Sequence, residues 1–402
     1  MSDIFSNLTE MTGFSTMGWE TILMWMIAFL LLYLGIKKQY EPLLLVPIGF
    51  GVLLANLPGA GLGVVDSSLV VNPDGTYMSL LDIANEHGIM NLLYFSLIKT
   101  GILPPIIFMG VGVLTDFGPM LRNLKLSLFG GAAQLGIFSV LIGAVLLGFT
   151  LPEAASLGII GGADGPTAIY TTIKLAPHLL GPIAIAAYSY MALVPVIIPA
   201  VAKLLMTDNE FRIHMKKMDQ QYPPKHEIKN LKTVKIIFPI VLGVIVSVLV
   251  PSSAPLLGML LFGNLVKEIG SSTSRLADAA SGPIMNTATI FLGLTVGATM
   301  SANVFLTAQT LGIIVGGLLA FGVSVAGGIF AVKTYNLFSK KKINPLVGAT
   351  GLSAVPMASR VANEVALRYD KSNHILQYCM ASNVSGVIGS AVAAGVLISF
   401  LG

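Results

Sequence analysis

Apolar runs follow one another along the chain, separated by short polar connections. They fall at about 20–36, 42–57, 92–117, 126–150, 181–206, 236–250, 254–267, 283–305, 307–332 and 375–401, and each is read as a membrane-spanning helix. Two further apolar runs, 154–178 and 344–370, are interrupted by glycine and proline. The pattern therefore predicts an all-α polytopic membrane protein with two broken segments.

The first broken segment is the sharper. Gly161-Gly-Ala-Asp164-Gly-Pro166 crowds three glycines and a proline into six residues. Proline removes a backbone donor and clashes with the preceding turn, and glycine has the largest ordering entropy, so a helix starts, stops and restarts here. Between Leu126 and Ile173 the only charged residues are Glu153 and Asp164. Broken backbone at membrane depth is tolerated only in a protein-lined or water-lined cavity, and an acid there costs about 2.5–3.5 kcal/mol on insertion scales. The functional reading is an ion site; the plain alternative is a kink with an incidental Asp paired to a neighbour.

Composition agrees with a membrane protein. Of 402 residues, 54% are hydrophobic and 10% charged, against about 25% charged in soluble domains. The net charge of +4 points to no nucleic-acid partner. One cysteine, Cys379, excludes an intrachain disulfide and a cysteine metal cluster, and five scattered histidines show no ligand spacing. No phosphate-binding glycine loop is present, so ATP is not the expected energy source. The Met-Ser-Asp-Ile start lacks a positive region, so no cleaved signal peptide is expected.

Charge sets the topology. Residues 1–36 hold no Lys or Arg, and Lys37-Lys38 follow the first run, so the N-terminus is expected outside. Residues 57–98 carry four acids and no Lys or Arg, with a turn at Asn72–Gly75, as an external loop or half-inserted hairpin. Lys99 is expected to snorkel near the outer end of its span. Eight Lys and Arg between 203 and 235 mark 207–235 as a cytoplasmic basic loop, a linker or docking surface. Parity then makes 154–178 a hairpin entered from outside. The order pair, span, span, broken segment, span recurs with opposite orientation in 236–402. The expected organisation is a first inverted repeat over 1–206 and a second over 236–402, with hairpins at about 154–178 and 344–370 meeting near the midplane.

The second broken segment, Asn344-Pro-Leu-Val-Gly348 through Gly351, Ser353 and Pro356 to Arg360, offers hydroxyl, amide and carbonyl oxygens beside a guanidinium. A hard cation such as sodium takes several oxygen ligands, and unwound carbonyls with one carboxylate supply them. Arg360 has a planar fork suited to a carboxylate; its structural alternative is a pair with Glu364 one turn on. Tyr188 and Tyr190 can pass a proton or simply pack. Asn383 is a candidate ligand, Asn373 a helix cap, and Asp116 a cap or a gate. On these residues alone the chain is an ion-coupled transporter with no stated driving force.

The motifs Gly161–Tyr170, Tyr190, Asn344–Gly348, Gly351–Met357 and Arg360, with Pro104–Gly112 and Asn383–Ala394, closely resemble the beta subunit of the sodium-pumping, biotin-dependent decarboxylases that act on oxaloacetate, methylmalonyl-CoA or glutaconyl-CoA. The resemblance runs over nearly the whole chain. It implies a subunit that decarboxylates carboxybiotin delivered by a biotin carrier, exports Na+ and consumes an external proton. It implies Asp164 as the sodium-binding acid, with Tyr190 near it. The polar positions Asn344, Gly348, Ser353 and Arg360 follow as functional residues, Arg360 and Asn344 toward carboxybiotin. Asp164, Ser353, Gly348, Asn344 and Asn383 are the expected sodium set, and Asp164, Tyr190 and Arg360 the catalytic one. It further implies an elevator-transporter-like fold, a homotrimer, and partners comprising the biotin carrier, a carboxyltransferase alpha subunit and a small gamma or delta membrane subunit in the inner membrane. The alternatives are a sodium-coupled carboxylate symporter without chemistry, which avidin would not inhibit, and a non-catalytic membrane anchor.

Overall fold

The computed structural model describes residues 12–13, 17–39, 41–72, 74–223, 228 and 230–402. The acids Asp3 and Glu10, and with them the reading of the N-terminus, lie outside the described residues, as do Pro73, Lys225, His226 and Lys229. The described chain is helical throughout; its one β pairing is an isolated antiparallel bridge between Val71 and Tyr77, beside the expected turn.

The first half runs α1 (Trp19–Ile36), α2 (Pro42–Ala55), α3 (Leu80–Leu93), α4 (Leu103–Leu114), α5 (Gly118–Arg122), α6 (Leu124–Ala133), α7 (Leu135–Leu146), α8 (Leu151–Gly158), α9 (Gly165–Leu175), α10 (Leu180–Ala192) and α11 (Val194–Leu205). Two short helices follow, α12 (Asp208–Phe211) and α13 (Met215–Gln221). The second half runs α14 (Leu231–Leu249), α15 (Ala254–Ile269), α16 (Ser274–Ala279), α17 (Met285–Ala298), α18 (Ala302–Phe305), α19 (Ala308–Phe338), α20 (Leu346–Ala349), α21 (Met357–Tyr369) and α22 (Leu376–Leu401). Among the described residues, six helical stretches are long and apolar enough to cross a membrane, or up to eight if each bent pair counts as one span.

Two expected straight spans are bent. The span placed at 92–117 begins at Leu80, passes through a π-helical turn at Tyr94–Ile98, and turns by 67° before α4, where Gly101 has φ +74°. The span placed at 181–206 turns by 68° between α10 and α11, with Pro195 at the start of the new helix. The basic loop is not a bare linker, since α12 and α13 pack against the second broken segment. Lys99 reaches Ser67 Oγ over 3.1 Å and lies over the Tyr77 and Phe95 rings, which is how its charge leaves the apolar layer.

Pairings recur between the halves. α1 packs on α2 and α14 on α15; α2 packs on α17 and α4 on α15. Both cross-half contacts are glycine crossings. A Cβ on Gly112 of α4 would lie 1.9 Å from the Leu260 carbonyl, and one on Gly263 of α15 2.0 Å from that of Met109. On α2 and α17, Gly51 and Gly297 meet the Leu294 and Ile48 carbonyls in the same way, at 2.3 Å each. Without an aqueous driving force, small residues let helix backbones approach and pack. A π-helical turn precedes both α4 and α17, at Tyr94–Ile98 and Ala280–Ile284.

Two large buried clusters result, beside a small one at Val70, Ile83 and Phe95. One gathers the broken segments with parts of α6, α7, α10, α11, α15, α19 and α22. The other joins α1, α2, α4 and α17, and receives Ile169 and Ile173 from α9 and Tyr188 from α10. The broken segments thus sit inside one cluster, with α9 and α10 forming its seam with the other.

Candidate ion site between two broken helices

The first broken segment is assembled by local rules. Thr150 and Glu153 form a capping box, with Pro152 in the first turn of α8. The helix tightens into a 3₁₀ turn at Ile159–Gly162, Ala163 turns left-handed at φ 54°, and Asp164 becomes the N-cap of α9, with Pro166 in its first turn. A left-handed conformation at a residue with a Cβ carries strain, which the packed surroundings hold in place. At the open end of this hairpin His178 Nε2 lies 2.8 Å from Glu153 Oε1.

The second segment is helical for one turn, α20, then irregular from Thr350 to Pro356 before α21 begins. The two irregular stretches meet. Ser353 N donates to the Gly162 carbonyl over 2.9 Å, and Ser353 Oγ donates to Asp164 Oδ2 over 2.7 Å. Ser390 Oγ, from the middle of α22, reaches the same Oδ2 over 2.9 Å and lies 3.3 Å from Ser353 Oγ. Asp164 Oδ1 accepts from Thr167 N at 3.1 Å. The carboxylate is 5% exposed, and among the described residues no cationic side chain pairs with it. Gln134 closes the floor: its amide nitrogen reaches the carbonyls of Gly130 (3.2 Å), Gly386 (3.3 Å) and Gly351 (3.5 Å), while its buried Oε1 has no partner.

The described residues hold no group of three or more His, Cys, Asp or Glu. One carboxylate held by two hydroxyls beside interrupted backbone is chemically compatible with a monovalent hard cation, whose charge one acid balances.

The residues singled out from sequence divide clearly. Asp164 and Ser353 are brought together. Asn383 braces the second segment, donating to the Leu352 carbonyl and accepting from Ser359 Oγ at 3.1 Å. Gly348 packs against α19, where a Cβ would lie 2.0 Å from the Gly328 carbonyl. The Asn344 side chain is directed to the Phe211 and Ile213 carbonyls and the Leu346 amide, with no contact to Asp164. Tyr190 donates to the Ile314 carbonyl on α19, whereas the Tyr188 ring abuts Gly165, where a Cβ would lie 2.1 Å from Cε1. The Tyr188 hydroxyl is buried without a partner. Arg360, in the first turn of α21, is exposed, and the alternative pair with Glu364 is not formed. Asn373 is no helix cap: Asn363 Oδ1 accepts from the Ile375 and Leu376 amides instead. Asp116 accepts from the Gly118 amide at 2.9 Å and pairs with Lys235 at 2.8 Å.

Sequence reading missed two residues of the site. Ser390 lies seven residues beyond Asn383, on the same face of one helix. Gln134 is a lone amide within an apolar run. Both signals were present, but α22 offers many small residues of equal appearance.

Residues 20–401 match the family described as the Na+-transporting oxaloacetate decarboxylase beta subunit. The chain belongs to this family. It is 45% identical to oxaloacetate decarboxylase beta chain 2 of Salmonella typhimurium, over 98% of each chain. It is 48% identical to methylmalonyl-CoA decarboxylase subunit beta of Propionigenium modestum, over 97% of each, and 46% identical to the Veillonella parvula subunit of that name, over 97% of this chain and 95% of the relative. As a beta-family member it is a multi-pass membrane subunit of a sodium-transporting, multi-subunit decarboxylase.

Proposed function

We propose that this chain decarboxylates carboxybiotin brought by a biotin carrier subunit, moves Na+ out across the inner membrane, and takes up an external proton. The carrying observation is the buried Asp164 carboxylate, held by Ser353 and Ser390 hydroxyls and lacking a cationic partner. A buried unpaired charge costs several kcal/mol. Such a group is stable only with a cation or a proton on it, so one acid serves sodium in one direction and a proton in the other. Asp164, Ser353 and Ser390 are the proposed sodium ligands, supported by Asn383 and Gln134 through the backbone they hold. Asn344 and Gly348, expected in the ligand set, support it here through the second segment.

Carboxybiotin supplies, when bound, a carboxylate that leaves as CO2 and a ureido nitrogen that takes up a proton. Arg360 fits that carboxylate: its guanidinium is exposed and has no ion-pair partner among the described residues. Its role is to orient and hold the anion. Tyr188 and Tyr190 on α10 are the phenols available to move the proton. Moving one charge against 100 mV takes about 2.3 kcal/mol, within reach of a decarboxylation.

The recurrent pairings α2–α17 and α4–α15, each with its glycine crossing, support two inverted repeats over 1–206 and 236–402 and an elevator-like movement of the cluster holding the broken segments. The proposed assembly is a homotrimer with carboxyltransferase alpha and small gamma or delta subunits, and with the N-terminus outside.

The test is CO2 release from free carboxybiotin by the purified complex, with and without Na+. Release that requires Na+ and is lost in Asp164→Asn is expected. Release indifferent to Na+, or retained pumping in Asp164→Asn, would overturn the assignment.

A further inference from the structure

Both ends of the second broken segment are tied to the same short piece of chain. Asn344, where the segment begins, donates through Nδ2 to the carbonyls of Phe211 (3.0 Å) and Ile213 (3.2 Å). Asn373, just beyond its far end, donates through Nδ2 to that same Ile213 carbonyl over 3.0 Å and accepts from the Met215 amide at 3.3 Å. The two asparagines are fully buried. Around this shared carbonyl the Phe211 ring stacks on Tyr369, with centroids 4.2 Å apart and planes 2° from parallel. Ion pairs fix the margins: Glu210 with Lys333 at 3.2 Å and Asp219 with Lys341 at 2.6 Å. By contrast, the mouth of the first segment is bridged, among the described residues, by one side-chain pair, Glu153–His178, in which the histidine is 61% exposed.

We propose that residues 207–222 form a strap across the base of the second broken segment, and that Asn373 is a positioning residue for the sodium site, acting through the Ile213 carbonyl. The physical link is α21. This 13-residue helix is about 20 Å long, with its C-terminal end held by the strap and its N-terminal end following the stretch that carries Ser353. A rigid rod fixed at one end sets the position of the other. Closing the mouth with neutral hydrogen bonds and a ring stack makes the second segment the fixed half of the site, against which the more lightly closed first segment works. Asn344 belongs to the same device, which accounts for its distance from Asp164. The inference rests on the sodium-site reading given above.

The experiment uses the assembled decarboxylase complex in proteoliposomes and reads kcat and the half-saturating Na+ concentration separately. The parent complex must first show Na+-stimulated turnover; if it does not, the sodium-site reading itself fails. Asn373→Ala removes that residue's two bonds to the strap and touches no proposed ligand. Half-saturating Na+ is expected to rise roughly tenfold, the size set by losing one or two buried hydrogen bonds, with a smaller change in kcat. Asn373→Asp keeps the acceptor for Met215 N and is expected to fall between Ala and the parent. Tyr369→Leu removes the ring stack and is expected to shift Na+ dependence in the same direction; it decides the matter if Asn373→Ala fails to assemble. Unchanged half-saturating Na+ in assembled Asn373→Ala and Tyr369→Leu, or a fall in kcat alone, would reduce the strap to a stabilising element and overturn the proposal.

Discussion

Ser390 Oγ donates to Asp164 Oδ2 across 2.9 Å, although 226 residues separate the two in the chain. The bond joins the middle of the last helix to the break in the first hairpin. It also brings a second hydroxyl to the carboxylate oxygen already held by Ser353. A hydrogen bond to a charged group contributes about 1.5–3 kcal/mol. Ser390→Ala is therefore expected to raise the half-saturating Na+ concentration by about ten- to a hundredfold, and Ser390→Thr, which keeps the hydroxyl, by much less. Sodium titration of turnover in the complex checks this; equal values for Ala and Thr would remove the hydroxyl from the site.

The break at Asp164 was legible because glycine and proline act locally, whatever surrounds them, and an acid in an apolar run has few structural reasons to exist. The same chemistry marked the second segment. The bends at Gly101 and Leu193 were harder to read, because an apolar run keeps its length and composition when it turns, and only Pro195 and the glycine point to the corners. Which polar residues converge was least legible. Ser390 looks like any other serine in a glycine-rich helix, and Asn344, read as a ligand from its motif, has its side chain committed to the strap. Convergence is a property of tertiary packing, and one sequence carries it only as weak hints such as the seven-residue spacing of Asn383 and Ser390.

The two tyrosines of α10 separate by their hydroxyls. Tyr190 donates to the Ile314 carbonyl, so Tyr190→Phe should lower stability by about 1 kcal/mol. The Tyr188 hydroxyl is buried without a partner, so Tyr188→Phe should leave the unfolding temperature unchanged or raise it. Thermal unfolding of the detergent-solubilised complex orders the two. A loss of turnover in Tyr190→Phe beyond its loss of stability would bring that hydroxyl into the reaction, which its bond to α19 does not require.

At the corner between α4 and α5, burial acts to raise the Asp116 carboxyl, but the Lys235 ammonium and the Gly118 amide outweigh it and hold the group below its ordinary value. A depressed carboxylate adds stability above its unfolded pKa, and that contribution is lost as pH falls through the folded one. Asp116→Asn should thus cost less than about 1 kcal/mol at neutral pH, since the pair is partly solvated and Lys235 keeps Glu268 at 2.8 Å. The difference between variant and parent should shrink only below about pH 4. Unfolding temperatures measured across that range test the sign, and a gap that widens in acid would contradict it.

Arg360 stands in the first turn of α21, exposed, with no ion pair to Glu364 or to any other described acid. A guanidinium at a helix N-terminus gains nothing from the helix dipole, which favours anions there, so local stability does not explain it. The proposed incoming carboxylate would: the fork offers two parallel donors, and the dipole attracts the same anion. Arg360→Gln should therefore leave the unfolding temperature within the small range of surface substitutions, about 0.5 kcal/mol, while abolishing most carboxybiotin-dependent CO2 release. Arg360→Lys keeps the charge but loses the bidentate geometry, and should retain only part of the activity. The two readouts taken on one preparation separate the explanations, because a structural arginine would lose both together and an idle one would lose neither.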